Sequence, residues 1–242
     1  MKIPTILLAA ALALAAAAPL SAANSYQLKM TAVNGKLSYA HSQKNEAGTQ
    51  NDFAGKAEAK TEKKPDIVFK SLLKETKGGV PVLNYTFELA GEEAGLPVMR
   101  AASEVALVPG KKILAAVYGP WRYYLELEGR APKPGDAGNY QLSAELACGQ
   151  AVLPVRVAAL KGSRAEISGF SAEGGKKRKL YVSLLPGLKE VKGGLELQYS
   201  AALTEDGAAA GAAEGKAELL TGLLKTVPAG ENCKISLKAV GF

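Results

Sequence analysis

Cys148 and Cys233 are the two residues of this chain best suited to react with one another, an even pair 85 residues apart. In an oxidising compartment such a pair forms a disulfide. Cys148 ends one expected strand and Cys233 begins another, so antiparallel pairing of those strands would bring the sulfurs together. Closing a loop of that length stabilises a fold by ~4 kcal/mol on the chain-entropy account. Metal ligation needs more donors than these, and His41 is the single histidine, so no metal or other cofactor is expected. The acids offer two adjacent pairs, Glu92-Glu93 and Glu205-Asp206. Paired carboxylates are the apparatus of general acid–base chemistry, including polysaccharide hydrolysis. Both pairs, however, follow matching leucines, Leu89 and Leu203, at hairpin tips, where acids are usually solvated turn residues. His41 lies in a polar stretch, and no Gly-x-Ser-x-Gly elbow supplies a nucleophile for it to activate. Gly174-Gly175 and Gly193-Gly194 lack the Lys-Ser/Thr and the following helix of a phosphate cradle. No catalytic residue is assigned; the expected class is a non-enzyme, with a polysaccharide-directed hydrolase as the alternative.

Two stretches suit binding better than catalysis. Lys176-Lys177-Arg178-Lys179 is the densest positive run, a candidate contact for lipid phosphates or another anionic polymer; its plainer use is to keep a strand edge solvated. Its first-copy counterpart keeps only Lys63-Lys64 beside Glu62. Trp121-Arg122-Tyr123-Tyr124, with Tyr118 nearby, groups the residue types that anchor partner surfaces. The same aromatics also serve as packing between domains. The expected partner is another envelope protein or an anionic envelope polymer.

The elements that must position these residues are set by a duplication. Tyr26-Gln27-Leu28 with Gly35 returns 114 residues on as Tyr140-Gln141-Leu142 with Gly149. At the same offset Gly48-Thr49-x-x-Asp52-Phe53-Ala54-Gly55 returns as Gly162-Ser163-x-x-Glu166-Ile167-Ser168-Gly169, and Leu83-Asn84-Tyr85-Thr86 as Leu197-Gln198-Tyr199-Ser200. Matched blocks at one spacing mark a tandem repeat. Before it, Lys2, an apolar run over residues 6–18, and Ser21-Ala22-Ala23 form a signal peptide cleaved after Ala23. The run is too short for a transmembrane helix, which takes ~20 residues, and no second run of that length follows. These features place the mature chain in a periplasm or outside the cell. Thirty Lys and Arg against 23 Asp and Glu leave a formal charge of +7, one lower once Lys2 is removed. That excess is too mild and too spread for a nucleic-acid binder.

Within each copy the pattern is strands and turns. Val82, Asn84, Thr86 and Glu88 alternate with Leu83, Tyr85, Phe87 and Leu89, giving one apolar face. The copies settle ambiguous segments: residues 70–75 suit a helix alone, but their counterpart contains Pro186-Gly187, which a helix interior does not tolerate. Leu219, Leu220, Leu223 and Leu224 stand at helical spacing, yet the matching stretch, 103–117, turns at Pro109-Gly110, so both are expected to be strand–turn–strand. Residues 41–65 are expected to be a polar loop with a weak strand over 52–59. The expected organisation is all-β: a signal peptide over 1–23, an immunoglobulin-like β-sandwich or small barrel over 24–129, a Pro/Gly linker over 130–138 and a second such repeat over 139–242.

The order Ala165-x-Ile167-x-Gly169, Leu180-Tyr181-Val182-x-Leu184-x-Pro186 and Gly193-Gly194-Leu195-x-Leu197 resembles the strand pattern of bacterial secretin β-domains. The first copy departs from it, with Asn51 in place of Ala165 and no counterpart of Pro186. The resemblance covers about half of each repeat and implies an envelope β-module; the pore hairpins and ring-building domains of a secretin are not seen in the chain. A small outer-membrane barrel, suggested by the final Phe242, is the rival architecture. Counting back in twos from Phe242 puts Lys238 on its lipid face, at ~2–4 kcal/mol near the membrane midplane.

Overall fold

The computed structural model describes residues 25–35, 37–56, 66–76, 79–90, 97–128, 138–149, 151–173, 175–191, 193–229 and 232–242. The expected signal peptide, Glu92-Glu93, Lys63-Lys64, Gly174 and nearly all of the expected linker lie outside these residues. The first copy supplies β1 (Ser25–Asn34), β2 (Leu37–Glu46), β3 (Gln50–Lys56), β4 (Asp66–Glu75), β5 (Pro81–Ala90), β6 (Pro97–Ala106), β7 (Lys112–Tyr118) and β8 (Trp121–Glu128). The second supplies β9 (Asn139–Cys148), β10 (Ala151–Leu160), β11 (Ala165–Glu173), β12 (Lys176–Val191), β13 (Gly194–Glu205), β14 (Ala208–Leu220), β15 (Lys225–Pro228) and β16 (Cys233–Gly241). Alternation makes these strands. In β1, Tyr26, Leu28, Met30 and Ala32 are buried while Gln27 and Lys29 are exposed, the period of a half-buried strand.

The strands form two eight-stranded antiparallel sheets that pack as a β-sandwich. The first runs β15-β16-β9-β10-β7-β8-β1-β2 and the second β14-β13-β12-β11-β6-β5-β4-β3. Each sheet therefore takes four strands from each copy, and the copies do not close as separate sandwiches. They join in both sheets at once. In the first, Val155, Arg156 and Val157 of β10 pair with Tyr118, Val117 and Ala116 of β7. In the second, Glu166 to Gly169 of β11 pair with Ala102 to Met99 of β6. Both orders are open and leave β2, β3, β14 and β15 as edges, so the chain is a sandwich and not the barrel weighed from Phe242.

The joint is apolar because its inward positions are. Ala101, Met99, Val155, Val157, Ile167 and Tyr118 are all buried, each contributing on the order of 1–3 kcal/mol by leaving water. Gly169 accepts the Tyr118 ring: an added Cβ there would stand 2.4 Å from Cε1. At the free end of the first copy the equivalent strand is polar. Where β10 turns Val155, Val157 and Ala159 inward, β2 carries His41, Gln43 and Asn45. His41 stacks on Phe53 with centroids 3.6 Å apart. The Asn45 and Gln43 side-chain amides each donate to Ser71 Oγ at 2.9 Å. Edge position accounts for this polarity: β2 and β3 are the outer strands of the two sheets, and polar side chains fill the inward positions there.

That polarity also hid β2. Residues 41–46 belong to a ten-residue strand and not to a loop, and the next strand is β3, Gln50–Lys56. The helix-or-strand ambiguities fall to strand in every case. Residues 66–75 form β4, Pro186 and Gly187 lie within β12 beside a register shift between Pro186 and Glu190, and residues 208–228 form β14, a turn and β15.

Candidate functional site

Cys148 and Cys233 face each other across the β9–β16 ladder with Cα atoms 4.2 Å apart and are joined by a disulfide. The bond staples the last strand of the second copy to its first. Gly211 of β14 lies over it: a Cβ there would be 2.5 Å from each sulfur. The disulfide is weakly consistent with an oxidising compartment.

Strand alternation divides the aromatic run. Tyr123 turns into the core, is wholly buried and stacks on Phe87 at 3.9 Å. Trp121 turns the same way and stacks on Tyr39 at 5.7 Å. Arg122 is exposed on the opposite face, where Tyr124 is half-buried and the Lys112 ammonium lies 4.4 Å from its ring. Tyr123 is thus a core residue, out of reach of any partner, and the four side chains do not converge on one surface.

The basic run is divided in the same way. Lys176 and Arg178 reach the same carboxylate, Glu205, at 2.5 and 2.8 Å. Their hydrogen bonds, Lys176 first, hold the Glu205 carboxyl below its ordinary range. Next in the chain, Asp206 and Gly207 form the two-residue hairpin turn with φ of 51° and 85°, as Asp-Gly favours. Asp206 Oδ1 accepts from the Lys177 N–H at 2.8 Å. The second carboxylate pair is therefore committed to the base of this hairpin, with Glu205 held ionised and not poised as a general acid. Lys176 and Arg178 thus share one protein partner for their charge, Glu205.

Lys179 instead borders a shallow depression of about 280 Å³ on the outer face of the second sheet, with Arg100, Ala102, Glu166, Ile167, Ser168 and Tyr181. It straddles the joint between the copies. Tyr181 donates to Glu166 Oε1 at 3.0 Å, and burial, then that carboxylate, raise its pKa. Arg100 Nε lies 3.0 Å from Glu88 Oε1. The depression offers a tyrosine ring and two cations, chemistry for holding a polar ligand, and its single carboxylate is engaged by a phenol. Of its residues the sequence marked only Lys179 as a candidate contact, since the lining comes from three strands of two copies.

Among the described residues no group of three or more His, Cys, Asp or Glu is placed to hold a metal ion, and no helix is long and apolar enough to cross a membrane. The backbone supplies the other candidate surface. β14, thirteen residues long, is the outer strand of the second sheet, and its first half, Ala208 to Ala213, is alanine and glycine with little cover. Two of the other three edges are defended. In β15, Ala229 N–H donates to Cys233 O, so ladder alternation turns Pro228 N away from β16 and towards the open edge, where it has no proton to offer. In β2, Lys44 and Glu46 line the edge as an ion pair 3.5 Å apart, a charged defence against pairing. Compared with known protein families, curated proteins and solved structures, the chain matches none.

Proposed function

We propose that the chain is an exported β-module of a bacterial-type cell envelope that acts by binding, taking a strand of a partner protein onto the edge of β14. The observation that carries this reading is the long, alanine- and glycine-rich edge itself. An exposed edge offers a row of backbone donors and acceptors, and strand addition uses them for affinity while neighbouring side chains set specificity. The signal peptide, the disulfide and the resemblance to secretin β-domains support an envelope setting.

The test is capture from crosslinked native envelope with amide hydrogen exchange on the captured complex. The mature protein is compared with an Ala212→Lys variant, which places a charge on the edge as natural sheets do to prevent pairing. The expected result is one specific protein lost in the variant, with β14 amides slowed in the wild-type complex. Capture indifferent to Ala212→Lys, or turnover of an envelope polysaccharide by the purified chain, overturns the reading.

A further inference from the structure

One end of the sandwich gathers the turns over residues 107–112, 161–164 and 221–224 together with Val191 and Gly193, and its second-copy side is apolar. Leu188 is 75% exposed, Leu224 65%, Leu223 58%, Leu220 52% and Phe242 40%. Hydrogen bonds place them together: Thr221 N–H donates to Gly193 O at 3.0 Å, Gly222 N–H to Ala239 O at 2.8 Å and Phe242 N–H to Asn139 O at 3.0 Å. Leu188 lies against Gly162, where an added Cβ would stand 2.5 Å from its Cδ2. Single exposed leucines are ordinary, but a group of this size on one end signals a contact.

The duplication supplies an internal control. Gly110 and Gly222 occupy the same turn with φ of 75° and 82°, and their N–H groups reach Leu127 O and Ala239 O, each at 2.8 Å. In the same turn Lys111 N–H donates to Val108 O and Leu223 N–H to Leu220 O. Lys111-Lys112 of the first copy thus stands where Leu223-Leu224 stands in the second. The turn folds equally well with lysines, so its geometry does not require the leucines.

The surroundings indicate the occupant. The turns at this end carry Lys111, Lys112, Arg164 and Lys225, with Lys238 on the neighbouring strand, and the carboxylate of Glu104, which meets the 161–164 turn, accepts from Ser163 Oγ at 2.7 Å. Lys111 Nζ lies 5.8 Å from the Phe242 ring centroid. Leu223 and Leu224 share one turn, Leu220 ends β14 and Leu188 lies near the end of β12, so the complementary surface must take apolar side chains from several elements at once while carrying negative charge. A bilayer does both: leucines enter at headgroup depth, and lysine stems lie along the apolar layer with their ammonium groups at the phosphates. We propose that this end docks on an anionic lipid bilayer, with Leu188, Leu223, Leu224 and Phe242 inserted and Lys111, Lys225 and Lys238 meeting lipid phosphates.

The test is co-sedimentation of the mature protein with vesicles of phosphatidylcholine alone and with phosphatidylglycerol added, at low and high salt, beside a Leu223→Lys/Leu224→Lys variant. That variant restores the first copy's residues and leaves Gly222 in place; its melting temperature confirms the fold. Wild type is expected to sediment with the anionic vesicles, less so in high salt, and the variant to partition at least about tenfold more weakly. No sedimentation of wild type, or equal partition of the variant, overturns the proposal. So does a wild-type dimer in light scattering that the variant abolishes without lipid, since the leucines would then bury against a second copy. Ala212 takes no part in this test, so its failure leaves the strand-edge reading standing.

Discussion

Tyr123 shows what one residue of the aromatic run does. It is wholly buried between Phe87 and Tyr85, with ring centroids 3.9 and 5.9 Å away. Its hydroxyl has no hydrogen-bond partner among the described residues. Burial, and to a lesser degree the charge of Tyr85, push its pKa well above the ordinary phenol value. Burial raises that of Tyr85 as well. A native pKa above the unfolded value means that the folded state resists ionisation. The stability from this source is complete below pH ~10 and is lost as pH rises beyond it. Alkaline titration followed by circular dichroism should show unfolding that begins above pH ~10. Tyr123→Phe should move that transition to higher pH and leave neutral stability unchanged or raised by up to ~1 kcal/mol, since it removes a buried group with nothing to bond. A loss of more than ~1 kcal/mol at neutral pH would show that the hydroxyl has a partner. In the sequence the four residues read as one cluster; strand alternation puts two of them on each side, so their adjacency was misleading.

At the scale of elements, the joint between copies depends on a fit between β7 and β11. The Tyr118 ring occupies the space that a side chain at Gly169 would fill, with ring atoms 2.4 to 2.6 Å from an added Cβ. Tyr118 is itself buried, so its ring has little room to withdraw. Gly169→Ala should cost ~1–3 kcal/mol by overpacking, read as a lower urea midpoint. In a Tyr118→Ala background the same change should cost little, and the difference is the coupling between the two residues. An equal cost in both backgrounds would show that the ring is not the obstacle. The element pattern was largely legible. Leu83, Tyr85, Phe87 and Leu89 predicted β5, and Pro186-Gly187 excluded a helix in both copies. β2 was legible only to Ala40, because at an open edge His41, Gln43 and Asn45 fill the inward positions that apolar residues fill in β10. The cysteine pairing was legible for a simpler reason: with two cysteines, strand order alone decided it.

For the whole molecule, the duplication announced two similar units and left open how they meet. A repeat in sequence specifies what each copy can bury, while the choice between closing on itself and sharing sheets with its neighbour depends on β7 meeting β10 and β6 meeting β11. Those contacts pair residues of different copies and leave no periodic mark. The shared sheets have a thermodynamic consequence. Separating the copies would expose Met99, Ala101 and Tyr118 on one side and Val155, Val157 and Ile167 on the other, and would open four strand edges. Each side then presents apolar surface beside unsatisfied backbone, which favours association or aggregation. The intact mature chain should unfold in one cooperative transition, with fluorescence of Trp121 in the first copy coinciding with a circular-dichroism signal drawn from both. Segments 24–129 and 139–242, expressed separately, should each melt lower than the full chain and, when mixed, form a one-to-one complex that regains part of the lost stability. Two resolved transitions in the full chain, or halves that melt at its temperature without binding one another, would show that the joint contributes little and that each copy is stable alone. The first outcome assigns the continuous sheets a structural role: they hold the β14 edge and the leucine-bearing end at fixed positions on one rigid body.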